Sequence, residues 1–95
     1  MTSKTRIIQA ALSVAERDGY SRMTRQAVAD EAACSMALVS KYWGTMPQLR
    51  RAVMRAAVFG NRPSIVAQGL AVNDPQAIRA SPKLKKQAAR YIGSK

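Results

Sequence analysis

RQAVADEAACSMALVSKYW, the stretch from Arg25 to Trp43, has the spacing of two short helices joined by a tight turn. Thr24, just before it, and Ser35, within it, are typical N-cap residues, whose side-chain oxygens accept hydrogen bonds from the first N–H groups of a helix. Ala29 is small enough to let two helices cross closely. The stretch therefore predicts a helix-turn-helix.

The apolar residues of this motif recur at helical spacing on the side that we expect to face a core. Cys34 follows the turn, and we interpret it as a buried small hydrophobe and not as a reactive thiol. Trp43 is expected to be a core aromatic residue. The other residues predicted to face inward are Val28, Ala29, Ala32, Val39 and Tyr42.

Cap and breaker residues predict a further helix on each side of the motif. Before it, Thr2 or Ser3 caps a first helix, which Gly19 ends because glycine tolerates left-handed backbone. After it, Thr45 caps a fourth helix that carries Pro47 in its first turn, where a missing N–H costs nothing.

Gly60 to Pro63 form the clearest boundary in the chain. We expect a helix-turn-helix domain over residues 1–60 and a short helical extension over residues 61–95. In the extension, Asp74-Pro75 and Ser81-Pro82 each predict a helix start. No stretch alternates apolar and polar residues as a strand does, so the predicted fold class is all-α.

The composition excludes several classes of site. Cys34 is the single cysteine and there is no histidine among the 95 residues, so the common zinc sites, disulfides and His-based triads are excluded. The five acidic residues are not paired as acid–base catalysis requires. We expect no enzymatic activity, no metal and no cofactor. No apolar run is long enough for a membrane span, so we expect a cytoplasmic protein without a membrane partner.

Basic residues dominate the charge of the chain. Sixteen Lys and Arg stand against five Asp and Glu, which gives a formal net charge of +11. A folded domain with this charge repels itself unless a polyanion neutralises it. Nucleic acid is the first candidate partner, an anionic membrane surface the second, and an acidic protein the third.

The chain from Thr5 to Ala57 resembles the DNA-binding domain of the TetR family of bacterial repressors. The resemblance is carried, in chain order, by IQAAL (8–12), AERDGY (15–20), MTRQAVADEA (23–32), CS (34–35), LV (38–39), KYWGT (41–45) and LRRAV (49–53). It implies a helical domain that binds double-stranded DNA. Three positions depart from the family pattern: Ala33 stands where glycine is usual, Ser40 where an aromatic residue is frequent, and Met46 where lysine is common.

The resemblance also implies which residues contact DNA. The recognition helix is Ser35 to Tyr42, in which Lys41 is expected to donate to guanine or to phosphate and Ser40 to base or backbone. Apolar side chains there suit a thymine methyl group, and residues at helix starts suit phosphate. The predicted contact residues are Thr24, Arg25, Ser35, Met36, Ala37, Ser40, Lys41, Tyr42 and Thr45.

Simpler interpretations of the same residues stay open. Thr24 and Thr45 are also explained as helix caps without a ligand. Tyr42 is also explained as a core ring with its hydroxyl at the surface. The arginines of the fourth helix fit a solvated face: Arg50, Arg51 and Arg55.

The extension has two candidate roles. Its apolar residues are predicted to build a homodimer interface, since the first four helices are expected to have a core of their own: Ile65, Val66, Leu70, Leu84 and Ile92. Its basic residues are alternatively an extra phosphate-binding face: Lys83, Lys85, Lys86 and Arg90.

We therefore expect a compact phage- or plasmid-like repressor that binds its operator as a homodimer, because one helix-turn-helix makes few base contacts. Family members carry a long C-terminal domain for an inducer, and residues 61–95 are too few to enclose a pocket of that size, so no small-molecule inducer is expected. The alternatives are a protein-binding adaptor or anti-repressor on the same scaffold, and a nucleoid-like coating protein.

Overall fold

A computed structural model describes residues 3–92, and within that range the chain forms seven α-helices and no strand. This confirms the all-α fold class. A 3₁₀ turn, Tyr20–Arg22, follows the first helix. The helices are α1 (Ser3–Asp18), α2 (Arg25–Ala32), α3 (Met36–Tyr42), α4 (Met46–Phe59), α5 (Pro63–Ala71), α6 (Pro75–Ile78) and α7 (Pro82–Ile92).

The three helices that follow α1 begin at the predicted caps. The Thr24 hydroxyl oxygen accepts from the Ala27 N–H at 3.1 Å, and Ser35 accepts from the Leu38 N–H at 3.1 Å. Thr45 and Gln48 form a reciprocal capping box, with distances of 3.3 and 3.2 Å between backbone nitrogen and side-chain oxygen. The last three helices each begin with proline, and the sequence predicted this start for α6 and α7.

Within the described range, four helices are followed by a residue with positive φ, namely Gly19, Ala33, Asn61 and Asn73. Gly19 follows α1 with φ of 104°, which L side chains rarely adopt, so the predicted glycine stop is confirmed. Ala33 follows α2 with φ of 55° and ψ of 47°. The N–H groups of Ala33 and Cys34 bond to carbonyl oxygens of the last turn of α2, so the tight turn holds although alanine stands where glycine would be relaxed.

One hydrophobic core runs through the described residues from α1 to α7. Helix α1 packs against α2 and α4, α4 packs against α5 and α6, and α5 pairs with α7. The turn at residue 60 separates α4 from α5, but the core continues across it. The first four helices therefore share their core with α5, α6 and α7.

The predicted dimer residues occupy this core. Ile65 and Val66 have no exposed surface, and Leu84 is 3% exposed. Leu70 is partly buried against the same cluster, and the side chain of Ile92 lies outside the described residues. The assignment of Ile65, Val66 and Leu84 to a dimer surface is corrected, because α5 needs its apolar face to bind α4 and α7 within one chain.

Polar contacts also join the extension to the first helices. The Gln68 side chain of α5 accepts from the Tyr20 N–H and donates to the Ala15 carbonyl oxygen at 3.4 Å. Arg62 forms a 2.9 Å salt bridge with Glu16 of α1. The helices after residue 60 thus complete the packing around α1. Within residues 3–92, no helix is long and apolar enough to cross a membrane.

Candidate nucleic-acid interface

Helix α3 separates a buried side from an exposed side, as a groove-reading helix requires. Val39 has no exposed surface and Leu38 packs partly against the core. On the other side, Met36 is 45% exposed, and Ala37 and Lys41 are exposed as well. Positions 36, 37, 40 and 41 share one helical face, on which Ser40 is half-buried. This face projects two apolar groups, one hydroxyl and one ammonium.

The hydroxyls of the three capping residues each accept a hydrogen bond and can also donate one. Thr24, Ser35 and Thr45 are exposed, and each oxygen accepts a hydrogen bond from the third residue of its helix. A hydroxyl also carries one donor, and none of these three donates to another group within residues 3–92. The capping interpretation thus has its predicted geometry, while each hydroxyl proton stays available for an anion at a helix start.

Two contacts bring the ends of four helices together. The Arg25 Nη2 at the start of α2 donates to the Gly44 carbonyl oxygen, 3.3 Å away in the loop before α4. The Lys4 ammonium of α1 lies 5.9 Å from the ring centroid of Trp43, which follows α3. The N-termini of α1, α2 and α4 therefore meet the C-terminus of α3 at one end of the domain.

Arg25 links the start of α2 to the loop before α4 at this end of the domain. Its side chain is half-buried, and its Nε is buried with no hydrogen-bond partner among the described residues. With one Nη bonded to Gly44, the guanidinium is fixed at the α2–α4 junction. The contact of Arg25 with phosphate stays a prediction.

Tyr42 and Trp43 lie in different environments, one at the surface and the other in the core. Trp43 is 8% exposed, which confirms it as a core aromatic residue. Tyr42 is 37% exposed, so its predicted core position is wrong. The reason is the end of α3: Trp43 has extended backbone, with φ of −135°, and its ring enters the core beside Tyr42 at a centroid distance of 5.8 Å. The Tyr42 ring is left at the surface.

The acidic residues of α1 and α2 each contact another side chain of the domain. Arg17 bonds to Asp18 and Glu31, at 3.0 and 2.8 Å, and Asp30 accepts from the Gln26 side chain at 2.7 Å. Neither α3 nor α4 contains an acidic residue. The hydrogen bonds and charge of Arg17 lower the pKa of Asp18, which keeps that carboxylate ionised within its pair. Uncompensated positive charge thus remains beside α3.

Lys4 was not predicted from the sequence. It lies 39 residues from Trp43, and only the packing of α1 against the helix-turn-helix brings the two together. A basic residue in the first turn of a helix gives no local signal of this contact. Its position at the junction makes it a further candidate for phosphate.

The basic residues of the extension are spread along α7. Lys83, Lys86 and Arg90 are exposed, whereas Lys85 is half-buried and donates to the Ile78 carbonyl oxygen at 3.1 Å. Helix α7 packs mainly against α5. The role of these four residues toward phosphate stays a prediction.

The described part of the chain contains few groups suited to binding a metal ion or to thiol chemistry. Within residues 3–92, no group of three or more His, Cys, Asp and Glu side chains is arranged to hold a metal ion. Cys34 is half-buried, with its Sγ 3.6 Å from the Ser35 carbonyl oxygen.

Comparison with known proteins identifies the matching family. The sequence profile of the bacterial regulatory proteins of the tetR family matches residues 7–53. This range contains every residue predicted to contact DNA, from Thr24 to Thr45. No curated protein and no solved structure matches the chain.

Proposed function

The chain carries, in residues 7–53, the helix-turn-helix DNA-binding domain of the TetR family of bacterial regulatory proteins, and from this premise we propose that it is a sequence-specific repressor that binds its operator as a homodimer. The proposed regulator is of a compact phage- or plasmid-like kind and acts in the cytoplasm. The observation that carries the proposal is the two-sided character of α3, in which Val39 is wholly buried while Met36, Ala37 and Lys41 are exposed.

The exposed face of α3 has the chemistry to distinguish base pairs in a major groove. The Lys41 ammonium donates to guanine O6 or N7, which are acceptors that no other base pair presents in that arrangement. Met36 and Ala37 offer apolar contact to a thymine methyl group, and the Ser40 hydroxyl serves as donor or acceptor. The face is small, so one copy reads only a few base pairs.

Phosphate contacts position this face over the groove. The hydroxyls of Thr24, Thr45 and Tyr42 are available donors, and the helix starts add a favourable dipole for an anion. Lys4 and Arg25 add positive charge at the same end of the domain. Such contacts hold the register of the protein on the duplex and carry no sequence information.

A second copy supplies the base contacts that one seven-residue helix lacks. The apolar surface proposed for this contact is at the end of α4 and along α7, because the earlier candidates are buried. Phe59 is 83% exposed and Tyr91 is 52% exposed. Tyr91 lines a groove of about 540 Å³, together with Asn61, Pro63, Gln87 and Arg90. Helix α4 has 14 residues and rises about 1.5 Å per residue. Phe59 at its end therefore lies roughly 20 Å from its start beside α3.

Selection from a pool of random-sequence duplexes tests the proposed function. We expect enrichment of one sequence with two-fold symmetry. Retention of DNA without enrichment would favour a nucleoid-like coating protein, and absence of retention by the folded protein would favour an adaptor or anti-repressor.

Sedimentation of a matched pair of variants tests the dimer surface separately. Phe59→Ser is expected to shift the protein from dimer to monomer. Val72→Ser removes a side chain that is 52% exposed on another part of the surface, and it should leave the dimer intact. Equal behaviour of the two variants would reject the surface at Phe59.

A further inference from the structure

A groove lies between the end of α3 and the part of α4 from Gln48 to Arg55. Its volume is about 300 Å³, and its lining residues are Tyr42, Trp43, Gln48, Arg51, Ala52 and Arg55. Trp43 closes it from the core side, while Tyr42 is 37% exposed. The groove therefore has an aromatic wall and a basic wall.

The basic wall is not neutralised within the chain. Arg51 and Arg55 are exposed, and they lie one helical turn apart on α4. Within residues 3–92, the salt bridges involve Arg17 and Arg62 on the basic side, and neither Arg51 nor Arg55 forms a salt bridge or a side-chain hydrogen bond. Two like charges on one helix face repel each other, so a bound anion would relieve the repulsion.

We propose that this groove binds the phosphodiester backbone of DNA beside the base pairs that α3 reads. This inference rests on the proposed function and extends its contact surface beyond the predicted residues. The surface is continuous with α3, because Tyr42 is both the last residue of that helix and a wall of the groove. A guanidinium group binds two phosphate oxygens through parallel N–H donors. Arg51 and Arg55, one helical turn apart, could therefore bind successive phosphates.

The other polar residue of the groove is already occupied. Gln48 has its side-chain oxygen bonded to the Thr45 N–H at 3.2 Å, which fixes the start of α4. The groove thus binds through Arg51, Arg55 and the Tyr42 hydroxyl. None of these groups recognises a base edge there, so we expect the groove to raise affinity for all sequences equally.

The salt dependence of DNA binding tests this inference. The full chain and the double variant Arg51→Gln/Arg55→Gln are titrated with a short mixed-sequence duplex over a range of salt concentrations. Each lost phosphate contact makes the log–log slope less steep by about 0.9, so we expect a change of roughly 1.8. The double variant Arg51→Lys/Arg55→Lys keeps both charges and should keep most of the slope.

A control separates local contact from net charge. Arg22→Gln/Arg79→Gln removes two charges from exposed positions that do not line the groove and should leave the slope nearly unchanged. Circular dichroism verifies that each variant is folded. Equal slopes for Arg51→Gln/Arg55→Gln and the wild type would overturn the groove assignment while leaving the proposed function intact. Failure of the wild type to bind any duplex would overturn the proposed function itself, and with it this inference.

Discussion

The hydroxyl of Tyr20 lies 2.9 Å from Oδ2 of Asp74, although 54 residues separate the two in the chain. The same hydroxyl is 3.0 Å from the Arg50 carbonyl oxygen of α4. The other Asp74 carboxylate oxygen caps α6 by accepting from the Gln76 and Ala77 N–H groups, at 2.8 and 3.3 Å. One carboxylate therefore connects the turn after α1 to the extension, and the DNA-binding domain is completed by residues beyond its family match.

Replacing Tyr20 tests this connection through its pH dependence. Burial, and then the hydrogen bond to Asp74, raise the pKa of Tyr20 above its usual range. The unfolded chain loses this proton near pH 10, so the contribution of Tyr20 to stability is complete below about pH 10 and is lost as the pH rises further. Tyr20→Phe should cost about 1 kcal/mol at neutral pH and flatten the alkaline loss in urea unfolding. Tyr42→Phe, at an exposed ring, is the control, and equal alkaline curves for wild type and Tyr20→Phe would contradict the account.

Gly69 marks the closest approach between α5 and its neighbours. A Cβ at this position would lie 2.5 Å from Met54 Cε and 2.8 Å from the Ala77 Cβ, and Met54 is wholly buried. Gly69→Ala should therefore destabilise the protein by about 1–3 kcal/mol, although alanine is the better helix former.

Gly44→Ala is the matched control for this prediction. Its added Cβ would meet only the Gln48 side-chain oxygen, at 3.5 Å, so the free energy of unfolding should change by less than about 0.5 kcal/mol. Thermal or urea unfolding measures both variants. An unchanged or higher stability of Gly69→Ala would show that α4, α5 and α6 are not packed as described.

Truncation after Arg62 tests whether the first four helices are independent. The fragment would lose the apolar residues that cover α4, of which Ile65 and Val66 are wholly buried, and the Gln68 bonds to the turn after α1. We expect loss of the cooperative thermal transition seen for the full chain, measured by circular dichroism. A fragment that unfolds cooperatively, with the helix content of α1 to α4, would instead support a separate core in the first four helices.

Lys41→Ala tests the reading face of α3. If Lys41 donates to a base, specific binding should weaken by about 1–3 kcal/mol, and sequence preference should relax at one position of each half-site. A phosphate contact would instead weaken all duplexes equally. Arg79→Ala, at an exposed position after α6 to which no DNA contact is assigned, is the control of equal charge. Unchanged affinity and preference for Lys41→Ala would remove it from the interface.

Local rules predicted the elements of this fold well, because their causes are local. Capping at Thr24, Ser35 and Thr45 and the proline starts of α6 and α7 each depend on a few adjacent residues. Met36, Ala37 and Lys41, which the family resemblance placed on the recognition helix, are exposed around the buried Val39.

The partners of each apolar face could not be predicted in the same way. Ile65 and Val66 form a stripe that suits a partner subunit or a neighbouring helix equally, and only the tertiary packing shows that α4 and α7 bury it. The core position of Trp43 and the surface position of Tyr42 depend on the extended backbone of Trp43 at the end of α3. Lys4 meets Trp43 only through the packing of α1.

A nuclease footprint on the DNA that flanks the gene for this chain tests the central claim most directly. The account predicts a protected inverted repeat whose half-site centres lie about one DNA turn, roughly 34 Å, apart, since two copies of α3 must enter successive major grooves on one side of the duplex. Uniform protection along the fragment, or no protection by protein that is demonstrably folded, would contradict it.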